Sequence, residues 1–225
     1  MKAALFDIDG TLVDSLEMII RGLGDAAEDL TGTRPTRKAL QDSIGTPLTT
    51  QARLFAGREV TGAETQAFSE VAQASFDANE HLETPFESAL ETLRLLRVYG
   101  LETCLVTSKS TPELAGFMKR FSYASYVTAT VCSSDVPRPK PAPDSALLAC
   151  ERLGVRPSEA FFIGDAVFDI RCAKAAGVYS VAVAYGATSA TDLAAEHPDL
   201  LIQTPDELLA WAQTSFETAT CHAKR

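Results

Sequence analysis

Two carboxylates separated by one residue, Asp7 and Asp9, lie at the end of the short apolar run Ala3-Ala4-Leu5-Phe6 and lead straight into Gly10 and Thr11. An apolar run this short, stopped by glycine, predicts a buried strand that ends in a tight loop. Strand alternation aims residues i and i+2 the same way, so both carboxylates converge on one point beyond the tip. Two anions facing one point repel unless a cation, a proton or a transferring group lies between them. A hard divalent cation with oxygen ligands, Mg2+ first, suits that place. A bare Asp-x-Asp is more often an Asx-rich turn, so the reading depends on what the rest of the chain supplies.

The next stretch, 15–84, predicts helices alone. Leu16, Ile19, Ile20, Leu23, Ala27 and Leu30 recur at helical spacing, with Gly32 just beyond. Pro35 opens a second short helix through Leu40 and Ile44, and Pro47 a third through Leu48, Leu54 and Phe55. Thr61 and Glu64 have capping-box spacing and open a fourth helix, buried through Phe68, Val71, Ala72 and Phe76. No strand is expected here, and the stretch reads as a helical bundle inserted after the first strand.

From Pro85 the pattern alternates. An amphipathic helix over 86–99 ends at Gly100, and a strand over 101–106 closes on Thr107-Ser108-Lys109. A helix capped by Thr111, with Pro112 in its first turn, leads to a weaker strand over 127–132 and a proline-rich loop over 133–143. A helix over 144–153, the strand Phe161-Phe162-Ile163 into Gly164-Asp165, and a helix ending at Gly177 follow. Strands over 178–184 and 200–203 precede a last helix capped by 204–207, with a loose tail after Phe216. Repeated βα units with apolar strands give the α/β class: a doubly wound parallel sheet covered by helices on both faces.

A net charge of −10 argues against nucleic acid or an anionic membrane as partner, because the long-range field repels both. It says little of a small anionic substrate, which feels the local site. Nothing resembles a signal peptide and no apolar run approaches the roughly 18 residues of a membrane span, so a cytoplasmic protein is expected. The five cysteines (Cys104, Cys132, Cys150, Cys172 and Cys221) form no Cys-x-x-Cys pair and read as reduced, buried or incidental thiols.

Ligands of such sheets bind beyond the carboxyl ends of the strands, where the strand order switches. The predicted strand ends carry Asp7 and Asp9, then Thr107 and Ser108, then Lys140 in the third strand's loop, then Asp165 with Asp169 four residues on. Taken singly, Thr107 is a strand-end turn residue, Lys140 a solvated loop lysine, Asp165 a helix cap and Asp169 an exposed helix residue. Together they put a metal-ready carboxylate set, a hydroxyl and an ammonium on one rim. Lys109, Arg138, Arg21, Arg53 and Arg58 read as surface charges, one of which reaches a remote anion of a substrate at most.

With these residues in their order, the sequence resembles the haloacid dehalogenase-like hydrolase superfamily across nearly the whole chain. The resemblance rests on Asp7-x-Asp9-Gly10-Thr11, on the strand end Leu105-Val106-Thr107-Ser108, on Lys140 within Pro139-Lys140-Pro141, and on Gly164-Asp165-x-x-x-Asp169. It implies a Rossmann-like catalytic core over 1–14 and 85–225, with a helical cap domain over 15–84. It further implies Asp7 as nucleophile forming an aspartyl-phosphate and Asp9 as acid and base. Mg2+ would be held by Asp7, the backbone carbonyl of Asp9 and Asp165, with Asp169 ligating directly or through water. Thr107, Ser108 and Lys140 would hold the phosphoryl group. Ala166 departs from the hydroxyl residue that many relatives have there, which implies a minor loss of hydrogen bonding around the metal ligands.

Asp9 separates phosphatases from dehalogenases, whose leaving halide needs no proton. Relatives resembling beta-phosphoglucomutase carry a His in the first cap helix where this chain has Ile19. Ile44-Gly45-Thr46-Pro47-Leu48 looks most like the phosphoglycolate phosphatase group. The implied activity is hydrolysis of a small phosphorylated metabolite, an acid or a sugar phosphate, by a monomer or homodimer. Pyrophosphatase and phosphosugar mutase are the alternatives, and a non-catalytic phosphate-binding protein a third. A cis Lys140–Pro141 bond, costing only about 0.5–1 kcal/mol for an X–Pro pair, would turn Lys140 back into the site.

Overall fold

The first strand runs through the middle of the molecule. In the computed structural model, which describes residues 1–222, the chain begins with β1 (Ala3–Phe6) and β2 (Val13–Asp14). Four helices follow: α1 (Leu16–Thr31), α2 (Arg37–Ser43), α3 (Leu48–Ala56) and α4 (Gly62–Ala78). Then come β3 (Thr84–Pro85), α5 (Glu87–Val98), β4 (Glu102–Val106), α6 (Thr111–Arg120), β5 (Ala129–Val131), α7 (Asp144–Leu153) and β6 (Ala160–Gly164). The chain closes with α8 (Val167–Ala176), β7 (Tyr179–Val183), α9 (Ala190–Ala195), β8 (Leu200–Ile202) and α10 (Pro205–His222).

Six strands form one parallel sheet in the order β5-β4-β1-β6-β7-β8. The chain leaves β1 for β4 and β5 on one side, then crosses back to β6 on the other, so the switch in strand order falls at β1. Its register sets Phe6 opposite both Leu105 and Ile163, which brings the ends of β1, β4 and β6 level. Burial on both faces explains the continuous apolar strands. Ala4 and Phe6 pack with Leu93 of α5 and Leu208 of α10, while Ala3 and Leu5 pack with Ala149 of α7 and Cys172 of α8. Phe6, Phe161 and Phe162 are fully buried, each contributing on the order of 1.5–3 kcal/mol of apolar transfer free energy.

The helices α1–α4 build a separate apolar cluster around Leu23, Ala27, Leu40, Ala52, Phe68 and Ala72. The Thr61–Glu64 capping box forms at α4 as its spacing predicts. Where the chain enters and leaves this insert, the sequence predicts no strand. Instead β2 and β3 pair antiparallel, Val13 with Pro85 and Asp14 with Thr84. Two residues per strand are too few to leave a periodic signal. The helix predicted to be capped by Thr111 is capped by Ser110, whose N–H and hydroxyl both reach Glu113 (2.7 and 2.5 Å). Helix α9 carries one buried apolar residue, Leu193, and has no legible stripe. The loose tail expected after Phe216 is helical through His222, and residues 223–225 lie outside the described residues. Cys104, Cys132, Cys150 and Cys172 are free and buried, as expected, and the side chain of Cys221 lies outside the described set. Among the described residues no helix is long and apolar enough to cross a membrane.

The insert meets the core at Gly45. Its φ of 93° lies in the left-handed region, and a Cβ there would stand 2.9 Å from the Ala166 methyl and 3.0 Å from the Phe168 ring. Gly45→Ala therefore meets both backbone strain, of about 1–2 kcal/mol, and a collision with the core. Denaturant unfolding should show at least that loss, and an unchanged midpoint would mean the loop does not seat in this way.

Candidate active site

Both neighbours in the sheet fix the end of β1, and the Asp7 N–H donates to the Ile163 carbonyl at 2.9 Å. The chain then turns through Gly10, at φ 75°. A Cβ on Gly10 would lie 2.1 Å from Asp165 Oδ2, so only glycine lets this loop approach the carboxylate beyond β6. Carboxylate oxygens of Asp7, Asp165 and Asp169 lie within 4.8 Å of one another, and all three residues are buried. Lys140 enters from the proline-rich loop, where the Lys140–Pro141 bond is cis. Its ammonium stands 3.0 Å from Asp7 Oδ1 and 2.6 Å from Asp169 Oδ1, and donates to the Val106 carbonyl at 3.3 Å.

Asp165 accepts from the Thr11 hydroxyl at 3.2 Å and the Ala187 N–H at 2.7 Å. Asp169 accepts at its second oxygen from the Ala166 N–H at 3.0 Å. Neither is an exposed helix or capping residue facing solvent.

Three carboxylates around one ammonium would, if all were ionised, leave two negative charges in a buried space, and the site resists that ionisation. The electrostatics follow. Burial pushes the Asp7 carboxyl up to about 7, the charges of Asp169 and Asp9 add to the rise, and Lys140 opposes it. Burial, then Asp7 and Asp169, raise Asp165 well above the ordinary carboxylate range. For Lys140 burial acts to lower the pKa, but Asp169 and Asp7 together prevail and hold it raised. An all-oxygen donor set with this excess charge fits a hard divalent cation.

Asp9 takes a different position. Its carboxylate is not in that cluster but accepts from Ser15 Oγ at 2.7 Å and from Lys109 Nζ, at 3.0 Å to Oδ1 and 2.7 Å to Oδ2. The sequence reading placed Lys109 on the surface, and this is corrected: its side chain is only 12% exposed and it lines the cavity with Asp7 and Asp9. The available signal was its place two residues after Thr107, at a strand end on the ligand-binding rim. Arg21, Arg53, Arg58 and Arg138 do not line that cavity, and Arg58 and Arg138 pair with Glu64 and Asp144 instead.

Thr107 is buried on the same wall and accepts from the Lys109 N–H at 3.2 Å. Ser108 lines it too, but its hydroxyl donates to the Gly45 carbonyl of the insert at 2.6 Å. The insert supplies the opposite wall with Ile19, Leu23, Ile44 and Phe76, enclosing about 60 Å³. The arrangement sets Asp7 against a cation-ready cluster held by Lys140, and lines a small cavity with Asp7, Asp9, the Thr107 hydroxyl and the Lys109 ammonium.

The family model for haloacid dehalogenase-like hydrolase matches residues 4–183. Among curated relatives, phosphoglycolate phosphatase of Salmonella typhimurium is 30% identical over 93% of this chain and 91% of its own length. Pyrophosphatase PpaX of Bacillus velezensis is also 30% identical, over 93% of this chain and 95% of its own. The crystal structure of a hydrolase from Pseudomonas syringae superimposes with a TM-score of 0.85 at 23% identity, covering 96% of this chain and 99% of that one, which supports the fold. With its strand order and its matched relatives in agreement, the chain belongs to the haloacid dehalogenase-like hydrolase family, among the phosphatases of its phosphoglycolate phosphatase-like group.

Proposed function

We propose that this phosphatase uses Mg2+ and hydrolyses a small phosphorylated metabolite, a phosphoglycolate-like acid or a sugar phosphate, through an aspartyl-phosphate on Asp7. The observation that carries the reading is the buried charge imbalance at the tip of β1, with Asp9 set beside it. Asp7 attacks the phosphorus in line, forming the bond to the phosphoryl group while the bond to the leaving oxygen breaks. Asp9 gives that oxygen its proton, then takes one from the water that hydrolyses the acyl phosphate. The Thr107 hydroxyl and the Ser108 backbone N–H hold the phosphoryl oxygens, while Lys140 orients Asp7 and Asp169 and offsets charge shared by phosphate and nucleophile. Asp7, Asp165 and Asp169, with the Asp9 backbone carbonyl, would hold Mg2+, which when bound offsets the negative charge shared by phosphate and carboxylates.

Residues 15–84 act in this reading as a cap over a core of 1–14 and 85–225. Ile19 on the cavity wall supports hydrolysis over mutase chemistry, since no histidine is among the lining residues. Pyrophosphate is the second candidate substrate, favoured by the pyrophosphatase relative at 30% identity.

Asp7→Asn should remove turnover without loss of fold. Asp9→Asn should let phosphoenzyme accumulate from an aryl phosphate whose activated leaving group needs no proton. Mass spectrometry that found the phosphate anywhere but on Asp7 would refute the assignment.

A carboxyl whose pKa is raised on folding stabilises the fold below its ordinary value of 3.8, and that contribution is lost as pH rises through about 7. The melting temperature in a chelator should therefore fall between about pH 4 and pH 7, and Mg2+ should remove most of that fall. Equal pH slopes with and without Mg2+ would argue against the cation site.

Replacing residues 16–83 with a short linker should flatten selectivity between small phosphate esters and long nucleotides, read as kcat/KM. Unchanged selectivity would take the cap out of substrate choice.

A further inference from the structure

Asp9 is clamped where it stands. Both its oxygens face the Lys109 ammonium and one also accepts from Ser15, so the carboxylate must leave this ion pair before it can reach a leaving oxygen or a water. Lys109 is itself nearly buried, and among the described residues the hydrogen bonds of its ammonium go to Asp9 alone. Lys140, by contrast, spends its donors on Asp7, Asp169 and the Val106 carbonyl. Moving Asp9 away would strand a buried ammonium, which is costly.

An acceptor is waiting nearby. Among the described residues, Glu83 Oε2 is the buried side-chain polar atom that lacks a hydrogen-bond partner. Its other oxygen accepts from Arg120 at 2.9 Å. The antiparallel register that pairs Asp14 with Thr84 sets Glu83 across from Ser15, whose hydroxyl donates to Asp9, so Glu83 lies beside the Asp9–Lys109 pair. Burial and the charge of Asp9 accordingly raise the Glu83 pKa, with Arg120 and Lys109 opposing. Glu113 shares the cavity wall with Lys109, but its Oε2 serves the Ser110 cap and neither of its oxygens is among the buried atoms without a partner. Glu83 directly precedes β3, on the return limb of the neck between insert and core.

We infer that Lys109 is a positioning residue that holds Asp9 in the substrate-free enzyme and passes to Glu83 when Asp9 turns toward the reacting atoms. The inference rests on the reading of Asp9 as acid and base. Because Glu83 sits on the neck, the handover ties release of Asp9 to the position of the insert. Glu83→Gln removes the receiving charge, so Asp9 stays clamped.

The expected result for Glu83→Gln is a kcat lower by roughly ten- to a hundredfold with KM little changed, and phosphoenzyme accumulating from an activated aryl phosphate. Lys109→Ala should lose activity as well, with Lys109→Arg restoring part of it. In the Lys109→Ala background, Glu83→Gln should cost nothing further. Arg120→Ala leaves both partners in place and should not accumulate phosphoenzyme. Wild-type kcat in Glu83→Gln, additive losses in the double variant, or accumulation in Arg120→Ala would each overturn the handover. High activity in Asp9→Asn would instead overturn the role of Asp9 itself. A crystal structure of the wild-type enzyme with Mg2+ and orthovanadate gives a check independent of variant folding. Lys109 Nζ within hydrogen-bond distance of Glu83 Oε2 is expected, and Lys109 elsewhere with Asp9 turned inward would refute the proposal.

Discussion

Lys140 stands between Asp7 and Asp169, and this buried ammonium allows three carboxylates to share one point. In an interior of low dielectric, like charges at such distances are mutually destabilising, and removing a lone counter-charge costs about 3–5 kcal/mol. Every neighbouring detail serves the same end. Thr11 and the Ala187 N–H donate to Asp165, the Ala166 N–H donates to Asp169, and Gly10 gives up a side chain so that the loop can close over Asp165. One positive charge does not balance three negative ones, and a divalent cation would offset the remainder and the charge an incoming phosphoryl group adds.

The sheet makes this concentration of charge tolerable by making it rigid. Strand β1 is hydrogen-bonded on both sides and buried on both faces, so Asp7 cannot retreat from its neighbours. The opposite wall is built differently. It rests on a two-residue ladder at the neck, on the Ser108–Gly45 hydrogen bond, on the Arg120 ion pairs with Glu80 and Glu83, and on the close seat of Gly45 against Ala166 and Phe168.

Much of this was legible in the sequence because the decisive residues sit at strand ends, where an apolar run breaks off into Asp, Thr or Gly. The doubly wound sheet and the positions of Asp7, Asp165, Asp169 and Lys140 near one point follow from that pattern. What was not legible depends on partners distant in sequence. Lys109 looks like any exposed lysine until Asp9, a hundred positions away, is seen beside it. Ser108 is spent on a carbonyl of the insert, which no local rule foretells. The neck strands are too short for periodicity to register, and Ser110 rather than Thr111 caps α6 because Glu113 lies three residues on from it.

The place of β1 in the sheet also bears on how the molecule is made. Ala3 pairs with Glu102 on one side and with Ala160 on the other, so neither partner exists when β1 leaves the ribosome. The four helices of the insert, which pack on one another around their own apolar cluster, are synthesised in between and can assemble first. The strand that carries Asp7 then waits, apolar and unpaired, for a chaperone or for the second half of its own chain. The topology thus delays closure of the sheet around β1 until β6, its second neighbour, has been made.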